Sequence, residues 1–173
     1  MKSRHFKLLC CLFLAATILN GCGFNLRNDY QLDEKFKQLQ LISQEANAPL
    51  PRILQQRLKV FDVEVIRPNL KTAENPPLAT IPTLILYPEN LDRRLLSLFR
   101  SGQVAEYELI YTCRYELINS AGDTRLYEFE ILREYQDDPD QVLAKSRELN
   151  LILNEMRKEA ANRIIRQFSV EQI

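Results

Sequence analysis

Histidine, glycine and cysteine are scarce in this sequence, and their scarcity excludes several classes of protein. The single histidine is His5, and three of the four glycines (Gly23, Gly102 and Gly122) lie beyond residue 21. Beyond that point the chain offers no histidine base for a nucleophilic site, no imidazole ligand for zinc and no glycine-rich phosphate loop. We therefore predict a protein that is not an enzyme and that needs no metal or cofactor.

The N-terminus has the pattern of a bacterial lipoprotein signal. Lys2, Arg4 and Lys7 make it positive, and an uncharged, mostly apolar run from Leu8 to Leu19 follows. This run is shorter than the ~20 residues of a membrane-spanning helix and fits a secretory signal. It leads into "LNGC", with a Leu three residues before a Cys and a small residue directly before it. We predict cleavage before Cys22 and acylation of that cysteine; the alternative is a plain signal peptide, with Cys22 in the core or in a disulfide.

Cleavage before Cys22 sets the organisation, charge and location of the remaining chain. It removes 21 of the 173 residues and leaves 152, with Cys113 as the only other cysteine and hence no internal disulfide. The remaining 20 Lys plus Arg against 23 Asp plus Glu give a net charge of −3, which provides no general attraction to nucleic acid. Gly23, where an Asp would favour the inner membrane, favours the outer membrane. We predict a signal peptide (1–21), a lipidated tether (22–34) and one domain (35–173).

Alternating apolar residues predict a long antiparallel hairpin. From Tyr107 to Leu117 they occupy every second position, and the spacing returns from Tyr127 to Ile131 after the turn "NSAGD". This alternation is typical of strands with one buried and one wetter face. Cys113 falls on the apolar face, so we interpret it as a core residue.

Shorter strands are predicted earlier in the chain. The segments "KQLQLIS" (37–43) and "TLILY" (83–87) have strand patterns, and residues 60–66 are a further candidate. Pro88 has no N–H for a sheet hydrogen bond, so we expect a bulge or an edge there.

Two helices are predicted from apolar spacing and capping residues. The first opens at residues 47–51 and carries apolar residues at helical spacing: Leu50, Leu54, Leu58 and Phe61. The second opens at "DDPDQ", with Asp138 as N-cap, Pro139 in the first turn and Gln141 in a capping box, and runs to about Phe168. Its apolar stripe comprises Val142, Leu149, Ile152, Leu153, Met156, Ala160 and Ile164. The predicted fold class is α+β: two helices packed on one face of a mostly antiparallel sheet of four or five strands.

The topology places two cations at one end of this sheet. Arg100 lies in the Ser-Gly turn that precedes the long hairpin. Antiparallel pairing brings residue 103 beside residues 135–139, where the last helix begins. Lys145 follows in that helix, at the flank of the apolar stripe. Together with the positive helix N-terminus, the two cations make a candidate anion site, although both also fit ordinary solvated charges.

Four stretches of the sequence resemble one known family. They are a lipobox followed by "CGFNLR", then "LFRSGQVAEYELIYT", then "DDPDQVLAKSRELN", which opens a helix, and "MRKEAANRIIRQ", which ends it. In these stretches the sequence resembles the lipopolysaccharide-assembly lipoprotein family LptE. The resemblance covers nearly all of the chain after the signal. The segment 67–82 and the stretch around Pro88 look divergent, and the chain lacks the extended polar tail of some relatives.

The resemblance implies a function and a site. Proteins of this family plug the lumen of the outer-membrane β-barrel LptD, assist the folding of that barrel and bind lipopolysaccharide. The family's lipopolysaccharide-binding arginine and lysine fall on Arg100 and Lys145. Arg93 and Arg94 are our own candidate helpers, and the alternative is that they face water or the barrel wall. The implied location is the periplasmic side of the outer membrane, anchored by lipid and largely within the barrel lumen.

Two alternatives remain open on the sequence alone. One is a purely structural chaperone of an outer-membrane barrel, in which contact with lipopolysaccharide is incidental. The other is an unrelated outer-membrane lipoprotein of similar α+β build, such as a transporter accessory.

Overall fold

The computed structural model describes residues 5, 32, 36–45, 47–68 and 81–170. The strands within these ranges are β1 (Gln38–Ser43), β2 (Glu64–Ile66), β3 (Thr83–Leu86), β4 (Asn90–Leu98), β5 (Val104–Ile118) and β6 (Thr124–Gln136). The helices are α1 (Pro49–Val60) and α2 (Val142–Val170), and a 3-10 turn, Pro139–Gln141, precedes α2. Cys22 lies outside the described residues, as does the predicted signal peptide apart from His5. Of the predicted tether only Leu32 is described; it is half-buried and packs against the core.

The six strands form one mixed sheet built around β5. β6 pairs antiparallel along one edge of β5, from Glu106 opposite Gln136 to Ile118 opposite Thr124. β4 and β3 follow each other along the opposite edge of β5, and both are also antiparallel to it. β1 then pairs with β3 on one side and with β2 on the other, parallel to both.

The predicted α+β class with two helices is confirmed, but the predicted strand count and the mostly antiparallel sheet need correction. The sheet has six strands, and β1 runs parallel to both neighbours. The β1–β2 pair is parallel because α1 connects the two strands as a crossover, which returns the chain to the same end of the sheet. Pro88 lies between two strands. β3 ends at Leu86, and β4 begins at Asn90 on the same edge of β5.

Both helices contribute to one core on one face of the sheet. The alternation predicted for β5 is confirmed, since Leu109, Tyr111, Cys113, Tyr115 and Leu117 are all buried. The helices add three leucines from α1 and a longer set from α2: Leu50, Leu54, Leu58, Met156, Ala160, Ala161, Ile164, Ile165 and Phe168.

Val142 was predicted to open the apolar stripe of α2, and this is wrong: it is 67% exposed. The hydroxyl of Tyr135, the last buried side chain of β6, donates to the carbonyl of Lys145 at 3.0 Å. Val142 lies one turn earlier in the helix, where no core side chain of β6 remains beneath it.

The start of α2 follows the predicted cap but not the predicted capping box. Asp138 is the N-cap, and its carboxylate accepts from the Asp140 N–H at 3.0 Å. The Gln141 amide donates to the same carboxylate at 2.8 Å instead of accepting from the Asp138 N–H. That N–H donates to Asp137 Oδ1 at 3.0 Å, which leaves the glutamine side chain available as a donor.

Glu89 joins the loop after β3 to both helices. The N-cap residue of α1 makes no side-chain cap, and Pro49 and Pro51 have no N–H, so Leu50 carries the first-turn N–H that needs an acceptor. Glu89 Oε1 accepts this N–H at 3.1 Å, and Glu89 Oε2 accepts from Arg157 Nε of α2 at 2.7 Å. One carboxylate thus caps α1 from a distant loop and ties it to α2.

Candidate functional site

Arg100 lies at the exposed tip of the β4–β5 hairpin. The Phe99 N–H donates to the Gln103 carbonyl at 2.8 Å, and the Gly102 N–H donates to the Phe99 carbonyl at 2.9 Å. Gly102 has a φ of 84°, a left-handed conformation that glycine adopts at little cost. Arg100 forms no ion pair or side-chain hydrogen bond with any other described residue. The turn therefore exposes a guanidinium that has no charged partner among the described residues.

The turn and the start of α2 lie at the same end of the sheet, as the topology predicted. Glu106 pairs with Gln136, and the Asp137 N–H donates to the Ala105 carbonyl at 2.9 Å. A cavity of about 500 Å³ lies between the two elements. Its lining includes Phe99 and Lys145 but not Arg100, so this cavity alone does not join the two predicted site residues.

Lys145 has partners within its own surroundings. Its ammonium Nζ lies 2.8 Å from Glu148 Oε2, and this hydrogen bond raises the pKa of the lysine above its usual value. The same nitrogen lies 5.6 Å from the centre of the Tyr135 ring. The side chain is 19% exposed, as expected for a lysine that covers apolar surface with its stem. Lys145 is therefore oriented, and partly neutralised, before any ligand binds.

The helix N-terminus offers less to an anion than its position predicts. The Asp138 carboxylate already accepts the Asp140 N–H, and Asp140 adds a second negative charge in the first turn. An N-cap carboxylate satisfies the donors and charge that would otherwise attract an anion. The cavity lining contains four acidic residues and Lys145 as its one cation; the acids are Glu106, Asp137, Asp138 and Glu148. Attraction for an anion must therefore come from side-chain cations.

The two candidate helpers, Arg93 and Arg94, lie on opposite faces of β4. Arg94 pairs in register with Glu108 and forms an ion pair with its carboxylate on the face away from the core. Arg93 pairs in register with Leu109, on the face that carries the core. Its guanidinium carbon lies 6.0 Å from the centre of the Tyr107 ring. Only Arg93 is thus on the same face as Lys145.

Two tyrosines that pair across β5 and β6 connect these cations. Tyr107 of β5 lies directly opposite Tyr135 of β6. Arg93 contacts the first ring and Lys145 contacts the second. The sequence indicates that Arg93 lies on the apolar face of its strand, because it is two residues from the apolar Leu91. Detecting it required the register between β4 and β5.

A second cavity, of about 350 Å³, lies near the other end of the sheet. Its lining includes Tyr127, Phe129 and Arg163. Arg163 donates to Glu159 Oε1 from Nη2 at 2.6 Å and to the Glu130 carbonyl from Nη1 at 3.1 Å. This guanidinium connects α2 to β6, and its hydrogen bonds are already used in that contact.

The described residues contain no group of three or more His, Cys, Asp or Glu side chains that would hold a metal ion. Cys113 is buried, and burial, followed by the charge of Glu89, raises the pKa of its thiol to about 12. The thiol therefore stays protonated at neutral pH and is a poor nucleophile. No helix in the described part of the chain is both long and apolar enough to cross a membrane.

The fold and this site define a small α+β domain whose described residues place exposed or half-buried cations, Arg93, Arg100 and Lys145, at one end of the sheet. The chain belongs to the LptE (lipopolysaccharide-assembly) family, whose model matches residues 36–168. The family role is assembly rather than catalysis.

Individual relatives agree with this assignment. The chain is 30% identical to the LPS-assembly lipoprotein LptE of Yersinia enterocolitica over 167 residues, which cover 96% of this chain and 77% of that protein. It is 31% identical to the protein of the same name from Photorhabdus laumondii, over 95% of this chain and 86% of the relative. The crystal structure of the rare lipoprotein B from Shewanella oneidensis matches with a TM-score of 0.66 and 35% identity. That match covers 77% of this chain and 94% of the other.

Proposed function

We propose that this protein is a plug and assembly factor of the lipopolysaccharide translocon. An acylated Cys22 anchors it to the periplasmic side of the outer membrane, and it lies largely within the lumen of the LptD barrel. There it supports the folding of the barrel and binds lipopolysaccharide during export. The family match over the whole described core, residues 36–168, carries this proposal.

Arg100 and Lys145 are the proposed lipopolysaccharide contacts. Lipid A carries phosphates, and lipopolysaccharide aggregates are held together by cations that bridge such groups. Arg100 offers a planar fork that can bind a phosphate through two hydrogen bonds, whereas Lys145 offers a point charge. The absence of a described partner for Arg100 supports its role, since an unpaired cation loses no existing contact on binding.

The partnership with the barrel is tested by capture from native outer membranes in detergent. The full-length protein with a C-terminal affinity tag is purified, and the co-purifying barrel is identified by mass spectrometry. We expect LptD in amounts comparable to the tagged protein. A Cys22→Ser variant is expected to leave the membrane fraction when the barrel is absent. Purification without any barrel would contradict the plug model.

The ligand contacts are tested by reversing both charges. Arg100→Glu combined with Lys145→Glu is expected to weaken binding of lipopolysaccharide while the domain still folds and captures the barrel. The matched control is Arg52→Glu with Lys59→Glu, which changes the net charge equally on α1, far along the chain from the site. Equal binding by the two double variants would refute the assignment of Arg100 and Lys145.

A purely structural chaperone remains the second candidate, and one observation favours it. Lys145 already has a carboxylate partner, and acidic residues surround it in the cavity. In that case the Arg100 and Lys145 double variant would leave export intact. Leu151, 67% exposed on α2, provides a further test, because a photocrosslinker there should capture barrel wall in the plug model. The family match excludes the third alternative, an unrelated lipoprotein.

A further inference from the structure

Arg93 and Lys145 stand over two neighbouring rings of the same sheet face. Tyr107 and Tyr135 are direct cross-strand partners. Side chains directly opposite each other in antiparallel strands have Cβ atoms about 5 Å apart. The Arg93 guanidinium carbon lies 6.0 Å from one ring centre, and the Lys145 nitrogen lies 5.6 Å from the other. The two rings therefore orient two cations toward one surface.

The two cations differ in whether they have a carboxylate partner. Lys145 is ion-paired with Glu148. Arg93 has no carboxylate partner among the described residues, and its guanidinium contacts the Tyr107 ring. Burial raises the pKa of Tyr135, the charges of Asp137 and Glu148 add to this rise, and the charges of Lys145 and Arg93 oppose it. Of these two cations, Arg93 is thus the one whose charge no described carboxylate neutralises.

An exposed leucine lies on the same face as Arg93. Leu95 pairs in register with Tyr107, on the face that carries Arg93, and it is 51% exposed. A phosphate held by the cations would therefore adjoin an exposed hydrocarbon side chain. That combination matches the chemistry of an anionic lipid, whose phosphate and acyl chains are covalently joined.

We propose that Arg93 and Lys145 hold a phosphate of a phosphorylated lipid, with Tyr107 and Tyr135 positioning the two cations. The inference rests on the function proposed above and adds Arg93 to its binding site. Arg93 binds through its guanidinium fork, and Lys145 turns from Glu148 toward the ligand. The exposed Lys145–Glu148 pair is weak enough for a phosphate to compete with it. Arg94 has no part in the site, because it lies on the other face with Glu108.

The test compares binding of diphosphorylated and chemically dephosphorylated lipid A, both in the same detergent, to the full folded chain. Arg93→Gln is expected to weaken binding of the phosphorylated form by about fivefold, the upper range for one exposed ionic contact, and to leave the dephosphorylated form unchanged. Arg93→Lys should restore part of the loss. The matched control, Arg94→Gln, should bind both forms as the wild type does. Circular dichroism verifies the fold of each variant.

The outcomes separate this inference from the proposed function. If the wild type binds neither form, both fail. If the wild type binds the phosphorylated form and Arg93→Gln binds it equally well, only the inference fails. It also fails if Arg93→Gln weakens both forms equally, or if Arg94→Gln has the same effect as Arg93→Gln. An additional measurement with phosphatidylglycerol identifies the source of the phosphate. If Arg93→Gln also binds phosphatidylglycerol more weakly, the site accepts any phosphorylated lipid. If only the binding of lipid A is weakened, the site recognises a phosphate on the lipid A sugar.

Discussion

Glu89 and Arg157 form an ion pair, with Glu89 Oε2 2.7 Å from Arg157 Nε, and this contact unites the two helices with the loop at Pro88. The side chains are 12% and 22% exposed, so water screens the contact only in part. Because Glu89 also accepts the Leu50 N–H, removing its charge affects two contacts at once.

Replacement of Glu89 is expected to destabilise the domain. Glu89→Gln should lower the free energy of unfolding by about 1 kcal/mol, since the amide oxygen can still accept the Leu50 N–H but the half-buried Arg157 loses its carboxylate partner. Urea denaturation measures the change. The double variant Glu89→Gln with Arg157→Met should lose less than the sum of the single variants, because the pair is coupled. Strictly additive losses would contradict this account.

The buried thiol of Cys113 predicts a decline of stability in alkaline solution. The usual thiol pKa of 9.0 rises to about 12 in the folded chain, so above pH 9 the unfolded chain loses this proton while the folded chain retains it. The free energy of unfolding should then fall between about pH 9 and pH 12, and be unaffected by this group below pH 9. Urea denaturation at several pH values should show a shallower fall for Cys113→Ala. An identical slope in the two proteins would disprove the role of the thiol.

Glu159 predicts a loss of stability in acid. Burial acts to raise its pKa, but hydrogen bonds and charges from Arg163 and Arg133 outweigh burial and lower the pKa below 4.5. Stability from this carboxylate is present above pH 4.5 and is lost as the pH falls through the folded-state pKa. Glu159→Gln should therefore be less stable than the wild type at pH 7, and the difference should shrink in acid. Denaturation at pH 7 and pH 3 tests this.

Glu148 is expected to restrain the proposed ligand site. Glu148→Gln removes the charge that pairs with Lys145, so lipopolysaccharide should bind about threefold more tightly, as expected for a competing exposed ion pair. The neighbouring Glu155→Gln, which frees Lys158 instead, serves as the control. Titration at low and at high salt should show the gain diminishing with ionic strength. Unchanged affinity of Glu148→Gln would place Lys145 outside the site.

The candidate site was only partly predictable from sequence. The placement of Arg100 and Lys145 at one end of the sheet followed from the length of the hairpin, because antiparallel pairing relates residues by their distance from the turn. The Asp138 cap was also predictable, yet its consequence, neutralisation of the helix N-terminus, was missed. The separation of Arg93 from Arg94 follows from a period of two along β4, but which face carries the core depends on the register with β5.

The sequence alone determined the α+β class, the long β5–β6 hairpin, the buried position of Cys113 and the resemblance to one family. These depend on local periodicity and on motifs that a chain carries in any conformation. Tertiary structure decided the parallel position of β1, the capping of α1 by the distant Glu89, and the contacts of Arg93 and Lys145 with Tyr107 and Tyr135. The physical reason is that such contacts join residues far apart in the chain, and their partners are set by strand order and register.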